Sequence, residues 1–486
     1  MAKRVSAARL VAYDVLRDVE DRDAYANLML PSKIRAARLN QQDAGLATEL
    51  TAGTLRLQGL YDAIIAHAAK RPAEKIDART LRVLRLGVHQ LLSMRVATHA
   101  AIYETVEVQR LVANKKATGF VNGVLRTVSR QSIAEWRTVV TEELASATVK
   151  MAVAESHPQW VVRALADALK SDGRAEELAD LLAADNTSPR VNIVFLPGPE
   201  QSLTAVIERA QAVLGDKISF TGVSPIGAEI AGLSPAQALT ELAAAGVTAR
   251  VQDQGSQLAA LALLRAKPVA EKEAWLDLCA GPGGKTAVLA NAAVAERAAG
   301  KEITLRANEV SEHRSRLVRE AVADNSEPVS FVTADGRSDT AYGSPDTKYD
   351  RILLDAPCSG LGALRRRPEA RWRKQPSDIP ELVQLQEQLL EKAYAHLAPN
   401  GVIAYVTCSP HLAETKGVVE RFLRNHDAAA ALDVTAQLGL QELQTLRSEK
   451  YPTQRALQLW PHAHGSDAMF IALIMRQSTT EQELGN

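Results

Sequence analysis

The stretch "LDLCAGPGGKTAVLA", from Leu276 to Ala290, joins an apolar run to a glycine-rich turn that is followed by a Lys-Thr pair. Turns of this kind occur where a β-strand ends and a helix begins, and several of them bind nucleotides. Their glycines let main-chain N–H groups approach a ligand at the helix amino terminus, which favours a carboxylate or a phosphate. The stretch therefore predicts a strand–turn–helix unit with a ligand at the turn.

Two nucleotide-binding patterns each fail here at one position. The phosphate-binding pattern G-x-x-x-x-G-K-[ST] ends correctly on "GKT" but requires a glycine where Cys279 stands. The dinucleotide pattern G-x-G-x-x-G begins at Gly281 and Gly283, but Thr286 occupies its final glycine position. One mismatch excludes neither pattern, so a P-loop-like NTPase is an alternative function for the chain.

Strand and helix patterns alternate around this loop from about residue 246 to residue 486. Alternation predicts an α/β, Rossmann-like domain with a parallel, doubly wound sheet and right-handed crossovers. Ligands of such sheets bind beyond the carboxyl ends of the strands. The residues of chemical interest fall at those ends: Gly281, Glu309, Asp335, Asp355 and Cys408.

The preceding half of the chain predicts two more domains. Residues 1–135 have apolar positions at helical spacing, which indicates an all-helical domain. Residues 136–158 are interpreted as a connector that ends at a proline break. Residues 159–245 contain a proline-bounded strand between helical runs, which predicts a small α/β module before the domain at 246–486.

Composition limits the class of protein. The formal net charge is +0, so any nucleic-acid binding must come from a local patch. The three cysteines, Cys279, Cys358 and Cys408, are too few for a disulfide framework and show no zinc-ligand pattern. We therefore expect a cytoplasmic protein with no metal. No apolar run approaches about 20 residues, so we also expect no membrane span.

Three acidic or basic strand-end residues favour one cofactor. Glu309 is positioned to accept both hydroxyls of a ribose, and Asp335 to hold an adenine amino group. The backbone of the glycine turn and the charge of Lys285 suit a carboxylate. A ribose, an adenine and a terminal carboxylate together describe S-adenosylmethionine.

Cys358 in "DAPCSG" and Cys408 in "YVTCSP" each follow an apolar strand, so both thiols are expected in one crevice. A thiolate that adds to carbon 6 of a pyrimidine turns carbon 5 into a nucleophile toward a methyl donor. Asp355 is placed to hold the ring edge that includes nitrogen 3. A general base then removes the carbon 5 proton, and the thiol is eliminated. The residues alone do not show which of the two thiols is the nucleophile.

A basic stretch, "LRRRPEARWRK", follows Cys358 directly. Arginine pairs with phosphates and stacks on bases, and tryptophan stacks on bases too. A charge run is usually only a solvated face, but its place beside the predicted site favours RNA contact. The predicted RNA-binding residues are Arg365, Arg366, Arg367, Arg371, Trp372, Arg373 and Lys374.

Five motifs resemble, in order, those of the Sun (Fmu-like) RNA cytosine carbon-5 methyltransferases: "QDQGSQ", "LDLCAGPGGKT", "TADGR", "DAPCSGLGALRRRPEARWR" and "YVTCSP". This resemblance covers about residues 246–486. "AYANLML" and "FVNGVLR" in the amino-terminal helices resemble the NusB family. The middle module, with "SHPQW" and "RVN", resembles the small RNA-recognition-motif-like insertion of the family.

The resemblance implies a role for each site residue. Cys408 would be the nucleophile, Cys358 would assist release of the methylated base, and Asp355 would lie near both base and cofactor. The S-adenosylmethionine site would comprise Cys279, Ala280, Gly281, Pro282, Gly283, Gly284, Lys285, Glu309, Asp335 and Asp355.

The resemblance also implies the partner, which is small-subunit (16S) ribosomal RNA, either naked or in an early assembly intermediate. We expect a monomer that does not bind membranes. A non-catalytic RNA-binding assembly factor is a further alternative, suggested by the NusB-like helices. Cysteines in two polar turns argue against it.

Overall fold

The structure is a computed structural model that describes residues 5–22, 24–440 and 455–478. It divides into two compact units. The helical unit comprises Met1–Ala166, Glu176–Ser188 and Ala363–Lys374. The sheet unit comprises Asp167–Ala175, Pro189–Gly362 and Gln375–Asn486. The bounds of these two units differ from the predicted domain bounds. The predicted connector lies in the helical unit, and most of the predicted α/β module lies in the sheet unit.

The helical unit is built from amphipathic helices around one apolar core. Helix α5 shows why: Leu81, Leu84 and Val88 recur at helical spacing, and all three are buried in that core. The helices are α1 (Ala7–Arg22), α2 (Ala26–Ala36), α3 (Gln41–Arg56), α4 (Gln58–Ala69), α5 (Ala78–Leu92), α6 (Thr98–Val112), α7 (Thr118–Val128), α8 (Ile133–Thr141), α9 (Ala147–Ala154), α10 (Gln159–Ser171) and α11 (Leu178–Asp185).

Helices α8 and α9 occupy much of the segment interpreted as a connector, for which the sequence left a helical or an irregular conformation open. A capping box at Ser132 and Glu135 starts α8, because each side chain bonds the backbone of the other residue. Trp136 is buried in the helical core, and its indole N–H donates to the Val128 carbonyl at 2.9 Å. The segment therefore packs on the helical domain and extends it.

A small antiparallel sheet with the strand order β2-β3-β1-β4 opens the sheet unit. Its strands are β1 (Val191–Phe195), β2 (Ile218–Ser219), β3 (Gly227–Ile230) and β4 (Ala249–Val251). Helices α12 (Leu203–Leu214) and α13 (Pro235–Ala244) pack on it around a separate apolar core. The α/β character predicted for this module is confirmed.

The large sheet has the strand order β10-β12-β9-β8-β5-β6-β7, with β11 paired to β12. Its strands are β5 (Lys272–Asp277), β6 (Glu302–Asn308), β7 (Val329–Val332), β8 (Tyr349–Asp355), β9 (Leu397–Thr407), β10 (Ala429–Leu432), β11 (Leu457–Gln458) and β12 (Phe470–Arg476). The remaining helices are α14 (Gln254–Arg265), α15 (Gly284–Ala298), α16 (Glu312–Ala321), α17 (Asp339–Tyr342), α18 (Ala370–Arg373), α19 (Asp378–Ala395), α20 (Lys416–Asn425), α21 (Val434–Leu438) and α22 (Pro461–His464).

The Rossmann-like fold class is confirmed, and the large sheet is mixed. Strands β5 to β9 are parallel, whereas β12 runs antiparallel to both β9 and β10. Strand β12 enters through an antiparallel pairing with β11, which needs no crossover helix. In the part of the chain that the structure describes, no helix is both long and apolar enough to cross a bilayer.

The predicted RNA-binding stretch is partly an interior element of the helical unit. Arg371 is 0% exposed, and its guanidinium donates to the carbonyls of Arg56, Ser156 and Asp185 at 3.0–3.3 Å. Arg365 is also buried. For Arg365 and Arg371 the prediction of a solvent-facing RNA contact is therefore wrong, because an arginine fork also satisfies buried carbonyls. The other five residues stay a prediction.

Replacement of Arg371 by methionine should destabilise the helical unit, because several buried carbonyls lose their donor. We expect a loss of about 3 kcal/mol or more in the free energy of unfolding, measured by denaturation and by amide hydrogen exchange in α3, α9 and α11. Arg367→Met, at an exposed position of the same segment, should change stability little. Normal stability of Arg371→Met combined with weakened RNA binding would instead restore the RNA role.

Candidate active site

The glycine turn between β5 and α15 is held by an acidic side chain from the end of β6. Glu309 is buried, and its Oε2 accepts the Gly281 N–H at 3.0 Å while Oε1 accepts the Ser311 N–H at 3.0 Å. Arg314 bonds the Gly281 carbonyl and lies 3.5 Å from Glu309. Two strand ends are thereby fixed to each other at the edge where ligands of such sheets bind.

Two glycines of the turn lie in close contact with their neighbours, and the backbone of Gly283 favours glycine. A Cβ at Gly281 would lie 2.2 Å from Glu309 Oε2. Gly283 has φ +104°, and a Cβ there would meet the Ala321 Cβ at 2.4 Å and the Val318 Cα at 2.9 Å. Both glycines are therefore explained by close packing of the turn. Because glycine has no side chain, the main-chain N–H groups of the turn can approach a ligand.

A cavity of about 200 Å³ lies beside this turn. Seven of the ten residues predicted for the cofactor line it, and Gly283, Glu309 and Asp335 do not. The lining residues are Val251, Gln252, Asp253, Ser256, Asp277, Cys279, Ala280, Gly281, Pro282, Gly284, Lys285 and Asp355. Asp335 lies instead in an ion pair with Arg337, whose hydrogen bonds lower the pKa of Asp335 to about 2.

Opposite charges meet inside the cavity. The Lys285 Nζ lies 2.7 Å from Asp355 Oδ2 and 3.3 Å from Ser256 Oγ. Burial disfavours the charge on Lys285, but the Asp355 carboxylate outweighs burial and raises the pKa of Lys285. The lysine is therefore a permanent cation at this edge of the sheet.

Sequence reasoning missed Asp277, which lies in the stretch quoted first. It is 0% exposed, its Oδ2 accepts the Thr286 hydroxyl at 2.7 Å, and its Oδ1 has no hydrogen-bond partner. Burial, reinforced by the charges of Asp355 and Glu309, raises the pKa of Asp277 to about 7. An aspartate between two leucines in a buried strand was the available signal.

The two cysteines that follow β8 and β9 face each other. The Sγ atoms of Cys358 and Cys408 are 3.5 Å apart. The hydrogen bond to Cys408, burial, and the negative charges of Glu414 and Asp355 all raise the pKa of Cys358 well above its ordinary value. Cys358 is therefore a thiol at neutral pH. The catalytic roles of both residues stay predictions.

Glu414 is a second residue that sequence reasoning missed. It is 0% exposed and ends a turn of 3-10 helix after β9, Leu412–Glu414. Its carboxylate accepts hydrogen bonds from Ser359 and Ser409, the residues directly after the two cysteines. No spacing rule connects Glu414 to Cys358 along the chain, so only the folded structure shows this link.

Replacement of Asp277 by asparagine should change how stability depends on pH. The folded protein keeps the Asp277 proton up to about pH 7, whereas an unfolded chain loses it near the ordinary value of 3.8. This residue therefore lowers stability as pH rises through that window. Asp277→Asn should match wild type near pH 4 and become more stable toward pH 7, by at most about 4 kcal/mol.

Thermal unfolding from pH 4 to pH 7 measures this difference. Asp335→Asn is the control whose difference from wild type should stay nearly constant over this range, because the lowered pKa of Asp335, about 2, places the loss of its stabilising charge below pH 4. An Asp277→Asn difference that does not change with pH would contradict the raised pKa of Asp277.

Comparison with known proteins identifies the family of the chain. The family described as 16S rRNA methyltransferase RsmB/F matches residues 264–475, and the NusB family matches residues 6–130. The Mycobacterium tuberculosis protein MT1451, provisionally named a methyltransferase, is 43% identical over 96% of each chain. Ribosomal RNA small subunit methyltransferase B of Pseudomonas putida is 31% identical over 89% of this chain and 93% of that protein.

The fold has a solved counterpart as well. The crystal structure of PH0851 aligns with a TM-score of 0.74 at 19% identity, covering 98% of this chain and 99% of that one. The resemblance to the Sun family and to NusB is thereby confirmed, and it replaces the P-loop alternative. With a relative 31% identical over most of its length, the chain belongs to the RsmB/F family of S-adenosylmethionine-dependent methyltransferases and carries a NusB-type domain at its amino terminus.

Proposed function

We propose that this chain methylates carbon 5 of a cytosine in small-subunit ribosomal RNA, with Cys408 as the nucleophile. The observation that carries the proposal is the 3.5 Å separation of two thiols at the carboxyl edge of the sheet. A methyl transfer to nitrogen or oxygen needs no thiol, whereas carbon 5 becomes nucleophilic only after a thiolate adds to carbon 6. The relatives named for small-subunit ribosomal RNA support the RNA class.

The residues around the cavity fit S-adenosylmethionine, which supplies an electrophilic methyl group. The orphaned Oδ1 of Asp277 and the carboxylate of Asp355 suit an ammonium group, while Lys285 and the N–H groups of the glycine turn suit a carboxylate. An amino-acid tail carries both of these groups. We assign the ribose to Glu309 and the adenine to the region of Asp335.

The chain's own residues account for the steps at the base. The Cys408 thiolate forms an Sγ–C6 bond, and the ring electrons move toward nitrogen 3, where the Lys285–Asp355 pair holds a proton. Carbon 5 would then take the methyl group from S-adenosylmethionine, whose sulfonium–methyl bond breaks, and nitrogen 3 returns its proton to the Lys285–Asp355 pair. When the carbon 5 proton leaves to a general base, its electron pair restores the C5–C6 double bond and the Sγ–C6 bond breaks. Cys358 gives a proton to the departing sulfur and regains one from the base.

Replacement of Cys358 by alanine should trap the covalent intermediate, because the departing sulfur of Cys408 loses its proton donor. We expect an RNA adduct that survives denaturing gel electrophoresis when the variant is mixed with RNA and S-adenosylmethionine. Cys408→Ala and the double variant are the matched controls and should form none. An adduct with Cys408→Ala, or none with Cys358→Ala, would overturn the assigned roles.

Bisulfite sequencing of ribosomal RNA tests the function itself. Cells without this protein should lose one 5-methylcytosine from small-subunit RNA, and the wild-type chain should restore it while Cys408→Ala should not. Unchanged methylation together with normal RNA binding would favour the non-catalytic assembly factor. Running the reaction on naked RNA and on assembly intermediates identifies which of them is the substrate.

A further inference from the structure

One buried carboxylate joins the two turns that carry the cysteines. Oε2 of Glu414 accepts the Ser359 hydroxyl at 2.5 Å and the Ser409 hydroxyl at 2.7 Å. The two hydroxyl oxygens are 3.0 Å from each other. Since each serine directly follows its cysteine, a single oxygen atom ties together the chain ends beyond β8 and β9.

The other carboxylate oxygen braces the same turns against α19. Oε1 of Glu414 accepts the Ser359 N–H at 2.7 Å and the Gln386 amide at 3.2 Å. That amide also donates to the Pro357 carbonyl at 2.8 Å. Glu414, Ser409 and Gln386 are each 0% exposed. Four donors surround one buried carboxylate, and hydrogen bonds of this charge-assisted kind are the strong ones.

The charges around the two thiols differ. The hydrogen bond that Cys358 makes to Cys408 and burial raise the pKa of Cys358, and the negative charge of Glu414 adds to this effect. Cys408 interacts electrostatically with Lys285, a cation. A cation near a thiol favours the thiolate and an anion disfavours it. The negative charge of Glu414 therefore helps to keep Cys358 protonated, while the cation Lys285 lies close enough to interact with Cys408.

We propose that Glu414 is a positioning residue that holds the two cysteine turns in register and determines which thiol attacks the base. This inference rests on the proposed function for the statement that a thiol attacks the base. The placement of the two thiols in the fold does not depend on RNA. Glu414 does not itself touch the reacting atoms. It acts through Ser359 and Ser409.

Glu414→Gln tests this role, because it keeps the shape of the side chain but removes its charge and sets an amide donor against donor groups. Thiol reactivity is measured without RNA, by timed iodoacetamide labelling and peptide mass spectrometry from pH 6 to pH 10. In wild type we expect Cys408 to be labelled at least about tenfold faster than Cys358 at pH 8. In Glu414→Gln we expect Cys358 labelling to shift to lower pH and the ratio to fall toward one.

Glu387→Gln is the matched control, since Glu387 lies next to Gln386 on α19 but forms an exposed ion pair with Arg421. It should keep the wild-type ratio and the wild-type pH profile. We further expect Glu414→Gln to lower kcat about 100-fold with little change in KM for RNA. Wild-type labelling in Glu414→Gln would overturn the inference, whatever the outcome of the adduct and bisulfite experiments.

Ser409→Ala keeps the test decisive if Glu414→Gln does not fold. It removes one donor to Oε2 and leaves the carboxylate in place. We expect it to slow the formation of a Cys358–Cys408 disulfide by the oxidant diamide, because the turns are less firmly held. The Ser330→Ala variant, at the edge strand β7, should not change that rate. An unchanged rate in Ser409→Ala would contradict the positioning role.

Discussion

The register between β8 and β9 is the constraint on which the site depends. In this parallel pair Leu353 lies opposite Ala404 and Asp355 lies opposite Val406. The two strands therefore end side by side, and the cysteines follow three and two residues beyond the last pair. A slip of one residue would turn every side chain of a strand to the other face of the sheet. The pairing of two buried strands thus sets the relative positions of the two cysteines, independently of the other site residues.

The glycine turn brings the second half of the site to the same edge. Strand β5 lies between β8 and β6, so Lys285 after β5 reaches Asp355 at the end of β8, while Glu309 at the end of β6 holds the backbone of the turn. One lysine stands among several buried acids. Burial, with that imbalance added to it, explains why Asp277 keeps a proton to about pH 7, and the surrounding acids keep Lys285 charged. The cavity is therefore ready for a ligand that brings its own positive charge.

The sequence predicted the elements that rest on local pattern, because strand–helix alternation and the rule for parallel strand ends need no distant partner. It placed Cys358 and Cys408 in one crevice for that reason. It did not predict how β12 pairs with β9 and β10, which lie earlier in the chain. It also took Arg371 for a surface residue, since a charge run reads as solvated until carbonyls from other helices are known. Glu414 was missed because its burial and its partners depend on the fold, whereas Asp277 had a signal in its apolar neighbours Leu276 and Leu278 that was not used.

Two thiols at van der Waals distance would be chemically equivalent in a symmetric environment, and a covalent route needs them to differ. The difference has to be built from groups that stay in place while the base enters and leaves. Ser359 and Ser409 donate to the same oxygen of Glu414, whose charge also raises the pKa of Cys358, while Lys285 acts on Cys408. A change in the position of one turn is then transmitted to the other turn. A mutation at Glu414 is therefore expected to change both the spacing of the two thiols and the protonation of Cys358.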